Sequence, residues 1–468
     1  MSWIGRRPVR IVTAIVVSGA ASLAMGTVSS AATNSHLTDF DGDGRTDIAF
    51  GGGGLISVQY ASGRTQKITT AALGTTVPGL GMSVADDVNG DGFTDLAIGA
   101  PVDQECDENC PPVYPPGEAF ILFGSSGGLR TDNAVHLKSP YPAGTYNGSF
   151  GSSVAILRAP TPVLVVGEPL AMVAGQEMAG VVHLYTPSAA GAAGPLRTIT
   201  QNSTGVPGAP ETGDMFGAEV VASGANLVVS VDHEDNGTIE DAGMLTVFRF
   251  SAPTAFTAWG YTQDTAGVPG AVEARDRFGG HLAIDGNLVV TGIPDEAIGA
   301  AWQAGMIQPF TLTATGAVFG REITQNSPGI PDTAEPEDLF GANVAILRGC
   351  GGKPAYAVTS SETVGSVKYA GSGYVIPSVP STACPIVHYI AGQAPLLGTL
   401  NQVGNPRLQG TVRTSATASD TLYLVTATST ASSAKYYRLT LKSPYTTVAT
   451  RTEITGDSFV THITPPAP

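Results

Sequence analysis

Two nine-residue segments place carboxylates at a spacing that suits a hard cation. Asp39-Phe40-Asp41-Gly42-Asp43-Gly44-Arg45-Thr46-Asp47 recurs 48 positions later as Asp87-Val88-Asn89-Gly90-Asp91-Gly92-Phe93-Thr94-Asp95. Both fit D-x-[DN]-x-[DN]-G-x-x-D. The alternate side chains Asp39, Asp41 and Asp43, or Asp87, Asn89 and Asp91, point inward, and the sixth-position Gly allows a sharp bend. Arg45 and Phe93 offer their carbonyls, and Asp47 and Asp95 close the cage. Oxygen ligands at this spacing suit Ca²⁺. An EF-hand loop begins the same way but needs a bidentate Glu at position 12 and a helix on either side. Position 12 is Phe50 in one copy and Ile98 in the other, and Ile48-Ala49-Phe50 and Leu96-Ala97-Ile98 read as strands. The expectation is two structural Ca²⁺ sites in loops that join β-strands.

Other chemistry is sparse. Gly124-Ser125-Ser126-Gly127-Gly128 satisfies G-x-S-x-G, which marks a hydrolase nucleophile only between a strand and a helix. Here it follows Phe120-Ile121-Leu122-Phe123 and reads as a turn between strands. There is no H-E-x-x-H and no phosphate-cradling Gly loop with Lys, and the 7 histidines are scattered. His183 and His281 fall on strands and read as core or edge residues. Asp232-His233-Glu234-Asp235-Asn236-Gly237-Thr238-Ile239-Glu240 partly imitates an ion loop, but it follows an apolar strand instead of preceding one. No catalytic residues are assigned.

The first 32 residues read as an export signal. Arg6, Arg7 and Arg10 precede an apolar stretch from Ile11 to Met25, and small residues end at Ser30-Ala31-Ala32. Too short for a membrane span, this segment predicts a secreted, extracellular mature chain without membrane insertion. The whole chain has a formal charge of −16, and loss of the signal arginines makes it more negative still. Such a surface does not neutralise phosphates, so nucleic acid is not an expected partner. With 59 Gly, 33 Pro and 13% charged residues, the composition is that of short strands and turns. Four cysteines in an exported chain suggest two disulfides: Cys106 with Cys110, leaving Cys350 for Cys384.

A repeat sets the architecture. Leu80-Gly81-Met82-Ser83-Val84, Phe150-Gly151-Ser152-Ser153-Val154, Phe216-Gly217-Ala218-Glu219-Val220, Phe278-Gly279-Gly280-His281-Leu282, Phe340-Gly341-Ala342-Asn343-Val344 and Leu408-Gln409-Gly410-Thr411-Val412 align at intervals of 62 to 70 residues. Each opens a unit of a Phe-Gly strand, an apolar strand, a longer loop and a Gly-led strand. Ile199-Thr200-Gln201, Tyr261-Thr262-Gln263 and Ile323-Thr324-Gln325 echo one another on the fourth. With a shorter unit around Asp39, residues 33–468 predict one all-β domain, a seven-bladed β-propeller of four-stranded antiparallel blades. Two segments compete to close the ring: residues near Leu37, and 457–463, which echo 276–282.

The Phe-Gly strand, the acidic loop and the following Ile98-Gly99-Ala100-Pro101 resemble the FG-GAP repeats of integrin alpha-chain propellers and of many bacterial exported proteins. The pattern is full in the second unit, partial in the first and confined to the framework elsewhere. The resemblance implies a seven-bladed propeller, Ca²⁺ as the metal, and recognition or adhesion rather than catalysis.

Two tight turns, Ser223-Gly224-Ala225-Asn226 and Asp285-Gly286-Asn287, stand where the fourth and fifth units would carry ion loops. Strand alternation puts the ion loops on one side of the disc. Most of the acid falls on the other: Asp103, Glu105, Asp107 and Glu108; Asp232, Glu234, Asp235, Glu240 and Asp241; and Glu211, Asp214, Glu273, Asp276, Glu335, Glu337 and Asp338 in the links between units. Such a ring would attract cationic ligands, or would simply keep an acidic protein soluble. The favoured function is a calcium-stabilised binding or adhesion module for an extracellular protein or glycan ligand, of cationic character if the acidic face is used. The alternatives are a lectin using Trp259, Trp302 or Tyr369 as sugar platforms, and a hydrolase or lyase with an acidic site at the channel mouth.

Overall fold

The computed structural model describes residues 38–468 other than 53, 78–82, 103–115, 142–148, 189–193, 348–352, 362–371, 391–403, 414–418, 428–434, 443–446, 455–461 and 464–468. The segment 1–32, Leu37, Tyr369 and the acidic loop around Cys106 lie outside these. Among the described residues the fold is all-β, with one 3₁₀ turn at Ala71–Leu73. The strands form seven four-stranded antiparallel sheets. The first holds Ile48–Gly52, Leu55–Gln59 and Thr65–Thr69, and the second Ser83–Asp86, Asp95–Ala100, Glu118–Leu122 and Val135–Lys138. The third to seventh open at Ser153–Arg158, Val220–Ser223, His281–Asp285, Val344–Leu347 and Gly404–Arg413, and each runs up and down through four consecutive strands. No helix among the described residues is long and apolar enough to cross a membrane.

Each sheet's opening strand lies against that of the next from the second sheet to the seventh, and the seventh's lies against His462–Ile463. That two-residue strand pairs with Ile48–Gly52 and completes the first sheet, with Phe50 opposite Ile463 and Gly51 opposite His462. The carboxy-terminal echo therefore supplies the fourth strand. This arrangement fits a β-propeller.

Inner strands such as Asp95–Ala100, Glu118–Leu122 and Asn226–Val231 are buried along their whole length, which is why they read as continuous apolar runs. Among the described residues, five large hydrophobic clusters are each filled from two neighbouring sheets. Phe150, Phe216, Phe278 and Phe340, all fully buried, stand one in each successive interface, and Phe40 occupies the interface of the first and second sheets. The Phe-Gly pairs were expected to lie on a strand. They lie instead in the turn before it, and the strands begin at Ser153, Val220, His281 and Val344. The reason is backbone conformation: Gly151, Gly217, Gly279 and Gly341 have φ between 88° and 99°, outside the β region.

These glycines also allow backbone to meet backbone. A Cβ on Gly99, Gly167 or Gly292 would overlap the carbonyl oxygen of Gly151, Gly217 or Gly341 in the next sheet. A second clasp repeats three times, as the Phe216, Phe278 and Phe340 N–H groups donate to the carbonyls of Ala179, Ala242 and Ala304 at 2.9–3.1 Å. Both rest on glycines that leave no room for a side chain, since at the second clasp a Cβ on Gly180, Gly243 or Gly305 would overlap the carbonyl oxygen of Phe216, Phe278 or Phe340.

Buried polar contacts join the same interfaces. Ser139 Oγ donates to Glu168 Oε1 at 2.7 Å, Gln201 Nε2 to Glu234 Oε2 at 2.6 Å, and Gln263 Nε2 to Glu296 Oε2 at 2.8 Å. Each donor leaves the last strand of one sheet and each acceptor belongs to the next. The repeated Thr-Gln segments thus serve as latches. Burial, then the charge of Asp214 or Asp276, pushes Glu234 and Glu296 up to about 8. His183 is buried, with Nε2 2.9 Å from Glu168 Oε2, as a core histidine. The tight turns at Gly224 and Gly286 are present, and Ser223 Oγ accepts the Gly286 N–H at 3.1 Å. Cys384 is disulfide-bonded, whereas Cys106, Cys110 and Cys350 lie outside the described residues.

Two outcomes follow for stability. Gly99→Ala should cost about 1–3 kcal/mol, because the obstacle is backbone. Gly127→Ala, whose backbone is not left-handed and whose added Cβ meets only Ser125 Oγ at 3.7 Å, should cost less in the same denaturant titration. Glu296 keeps its proton in the fold, so its stabilisation is complete below the unfolded pKa near 4.5 and is lost as pH rises through about 8. Glu296→Gln mimics the protonated form and should raise the melting temperature by roughly 2–4 °C at pH 8.5 while changing little at pH 5.

Candidate metal centre

Both acidic segments form loops that lead into strands, the first into Ile48–Gly52 and the second joining Ser83–Asp86 to Asp95–Ala100. Their hydrogen bonding follows a similar pattern. Asp39 accepts the N–H groups of Asp43 and Gly44 at 3.0 and 2.8 Å, and Asp87 accepts those of Gly90, Asp91 and Gly92 at 2.6, 3.2 and 3.0 Å. The Arg45 N–H donates to Asp43 Oδ1 at 2.9 Å, and the Phe93 N–H to Asp91 Oδ1 at 3.0 Å. Phe40 and Val88 turn inward at the second position, into the hydrophobic interfaces. Local polar contacts fix the carboxylates while a buried apolar residue anchors each loop.

The closing aspartates do a different job from the others. Asp47 accepts the Phe40 N–H at 2.8 Å through Oδ2 and the Ala61 N–H at 2.9 Å through Oδ1. Asp95 accepts the Val88 N–H at 3.0 Å and the Gly124 N–H at 2.9 Å. Both are buried, which pushes Asp47 up to about 6 and Asp95 to about 7. Each carboxylate pins its loop to a neighbouring turn and keeps lone pairs for a further partner.

Asp39, Asp41 and Asp43 each bring one carboxylate oxygen within 4.8 Å of the others, the one such group of acidic, His or Cys ligands among the described residues. Asp41 Oδ1 is buried without a hydrogen-bond partner. Three converging carboxylates with one orphaned oxygen are costly unless a cation neutralises them. The donor set fits a hard divalent ion. Two guanidiniums stand close by: Arg45 lies 2.5 Å from Asp43 Oδ2, and Arg64, stacked on Tyr60, lies 3.5 Å from Asp41 Oδ2. In the second loop, Asn89 Nδ2 donates to Asp91 Oδ2 at 2.9 Å, and Asp91 N–H to Asn89 Oδ1 at 2.8 Å.

The remaining sequence candidates resolve into framework. Ser125 Oγ donates to the Gly128 carbonyl at 2.7 Å inside a strand-to-strand turn. Residues 232–240 form a hairpin tip bridged at Asn236 and Ile239, like those at Val173 and Gln176 and at Ile298 and Ala301. Asp214, Asp276 and Asp338, expected on an acidic face, are buried and accept the N–H groups of Glu211, Glu273 and Glu335 at 2.6–2.7 Å. Trp302 is 52% exposed, whereas Trp259 packs against the core. Sequence reading missed the Arg158 tie: its Nε donates to Asp86 Oδ2 at 2.9 Å and its guanidinium to the Asp87 carbonyl at 3.1 Å. No motif signals that contact.

The family model described as FG-GAP-like repeat matches residues 39–98, which span both loops. No curated protein matches the chain. Among solved structures, a candidate 6-phosphogluconolactonase of Bacteroides uniformis is 12% identical, covering 89% of this chain and 98% of that one at a TM-score of 0.48. Sqt1 of Chaetomium thermophilum is 12% identical, covering 81% and 77%, at 0.43. The haemagglutinin-neuraminidase ectodomain of parainfluenza virus 5 is 9% identical, covering 71% and 75%, at 0.35. Likeness at this level carries no activity or substrate across. An FG-GAP-like repeat and stacked four-stranded sheets together fit a β-propeller module.

Asp95→Ala leaves two buried N–H groups unpaired and should destabilise the protein by about 2–4 kcal/mol, in chelator as well as in calcium. Asp91→Ala removes no such support, and its melting temperature in chelator should stay near wild type.

Proposed function

We propose that the seven sheets are the blades of one ring, and that the chain is an exported, calcium-stabilised binding module of the integrin-alpha-like FG-GAP kind. Calcium would sit in the two loops, held by Asp39, Asp41, Asp43, the Arg45 carbonyl and Asp47, and by Asp87, Asn89, Asp91, the Phe93 carbonyl and Asp95. The observation that carries this reading is the cluster Asp39, Asp41 and Asp43 with its orphaned Asp41 oxygen. Its role is structural, because both loops grip the interface between the first two blades.

The working surface would be the opposite face, where the links after each second strand emerge. Met172 and Trp302, 48% and 52% exposed, stand in those links, and Glu211, Asp235, Glu240, Glu273 and Glu335 are exposed on the same side. An exposed indole amid carboxylates suits a cationic extracellular protein. It also suits a sugar face, which keeps a lectin as the second reading.

Calcium should bind at two ions per chain and raise the melting temperature, and Asp43→Ala should lose part of that rise; a chain that melts identically in calcium and in chelator sinks the assignment. For the face, wild type and Trp302→Ala are compared on arrays of extracellular proteins and glycans. Retention should fall about tenfold or more in the variant without a change in melting temperature. Weakening between 0.15 and 0.5 M salt marks a cationic protein, and competition by a simple sugar marks a glycan. Retention unaffected by Trp302→Ala would move the site elsewhere.

A further inference from the structure

The two acidic loops belong to neighbouring sheets yet share hydrogen bonds. Asp39 N–H donates to Thr94 Oγ1 at 3.0 Å, and Thr94 N–H donates back to the Asp39 carbonyl at 2.9 Å. Asp39 is the first carboxylate of one loop, and Thr94 sits between Phe93 and Asp95 in the other. Both residues are buried, so water does not compete for this reciprocal pair. A second tie runs through the G-x-S-x-G turn. Gly124 N–H donates to Asp95 Oδ1 at 2.9 Å, and Ser125 N–H to the Phe40 carbonyl at 3.1 Å. The third is steric: a Cβ on Gly42 would lie 2.6 Å from Phe93 Cε1, so the bend of the first loop rests on a ring of the second.

The loops also differ in charge. Asp43 and Asp41 of the first loop have the guanidiniums of Arg45 and Arg64 beside them, at 2.5 and 3.5 Å. Among the described residues no basic side chain is paired with the carboxylate of Asp87 or Asp91; Arg158 reaches Asp86 and only the backbone carbonyl of Asp87. A cation entering the first loop must displace two positive groups. At the second it displaces an amide contact.

We propose that the two loops form one coupled binding unit, in which the second loop fills first and thereby raises the calcium affinity of the first. This rests on the calcium reading above. Filling the second loop fixes Phe93 and Asp95, which flank Thr94. Thr94 in turn holds both backbone polar groups of Asp39, and Gly124–Ser125 links Asp95 to Phe40. Part of the ordering that the first loop needs has then already taken place, which is coupling through conformational entropy.

Calcium chloride is titrated by calorimetry into the full chain and into Asp91→Ala, Asp43→Ala and Thr94→Val. Asp91→Ala should bind one ion, at least about fivefold more weakly than the first loop of wild type. Asp43→Ala should bind one ion with the affinity of the first wild-type step. Thr94→Val, nearly isosteric, should still bind two ions but with the coupling reduced, and it decides the matter if Asp91→Ala does not fold. A first-loop affinity unchanged in Asp91→Ala, or full coupling surviving in Thr94→Val, overturns the inference while leaving the calcium sites intact. No calcium binding by the full chain overturns the calcium reading and this inference together.

Discussion

No sheet in this molecule can bury both of its faces without a neighbour. Four strands of mostly apolar residues expose too much surface in isolation, and the five large hydrophobic clusters among the described residues are each shared between two sheets. The spacing between sheets is set where backbone touches backbone, at the Gly99–Gly151, Gly167–Gly217 and Gly292–Gly341 junctions. A buried phenylalanine beside each junction fills the space just outside it. Phe-Gly is therefore one device: the ring occupies the interface and the glycine lets the chain come close enough for the ring to fit.

The acidic loops are a local variation on that device. In the first interface the anchoring ring is Phe40, a loop residue, so the backbone that presents the carboxylates is also the backbone that holds two sheets together. This explains why a cation at the edge of the molecule would act on its stability. The fourth and fifth sheets solve the same connection with the turns at Gly224 and Gly286, which pack on one another through Ser223 and through Asn226 and Asn287. Charge repulsion is absent there, and no ion is called for.

Acid elsewhere divides by burial. Asp214, Asp276 and Asp338 cap turns inside the links, and Glu168, Glu234 and Glu296 receive side chains from the preceding sheet. Glu211, Asp235, Glu240, Glu273 and Glu335, with Trp302, remain at the surface. The negative charge of the chain is thus partly structural, and the portion available to a partner is narrower than composition suggests.

The sequence by itself determined what depends on residues close together in the chain. The D-x-[DN]-x-[DN]-G pattern dictates the loop, alternating turns and apolar runs dictate the strands, and the repeat interval dictates how many sheets there are to stack. The closing strand was narrowed to two candidates, residues near Leu37 and the echo of 276–282 at 457–463, and the pairing of Phe50 and Gly51 with Ile463 and His462 selects the second. Only the tertiary structure decided which distant groups meet. Thr94 on Asp39, Arg158 on Asp86 and Gln263 on Glu296 are 33 to 72 residues apart. Likewise, the aspartates at 214, 276 and 338 read as surface charge until the turn around each was seen to enclose it. Such contacts carry no local signature, because they are set by the separation and rotation of neighbouring sheets, and these come from the summed packing of both faces rather than from any one segment.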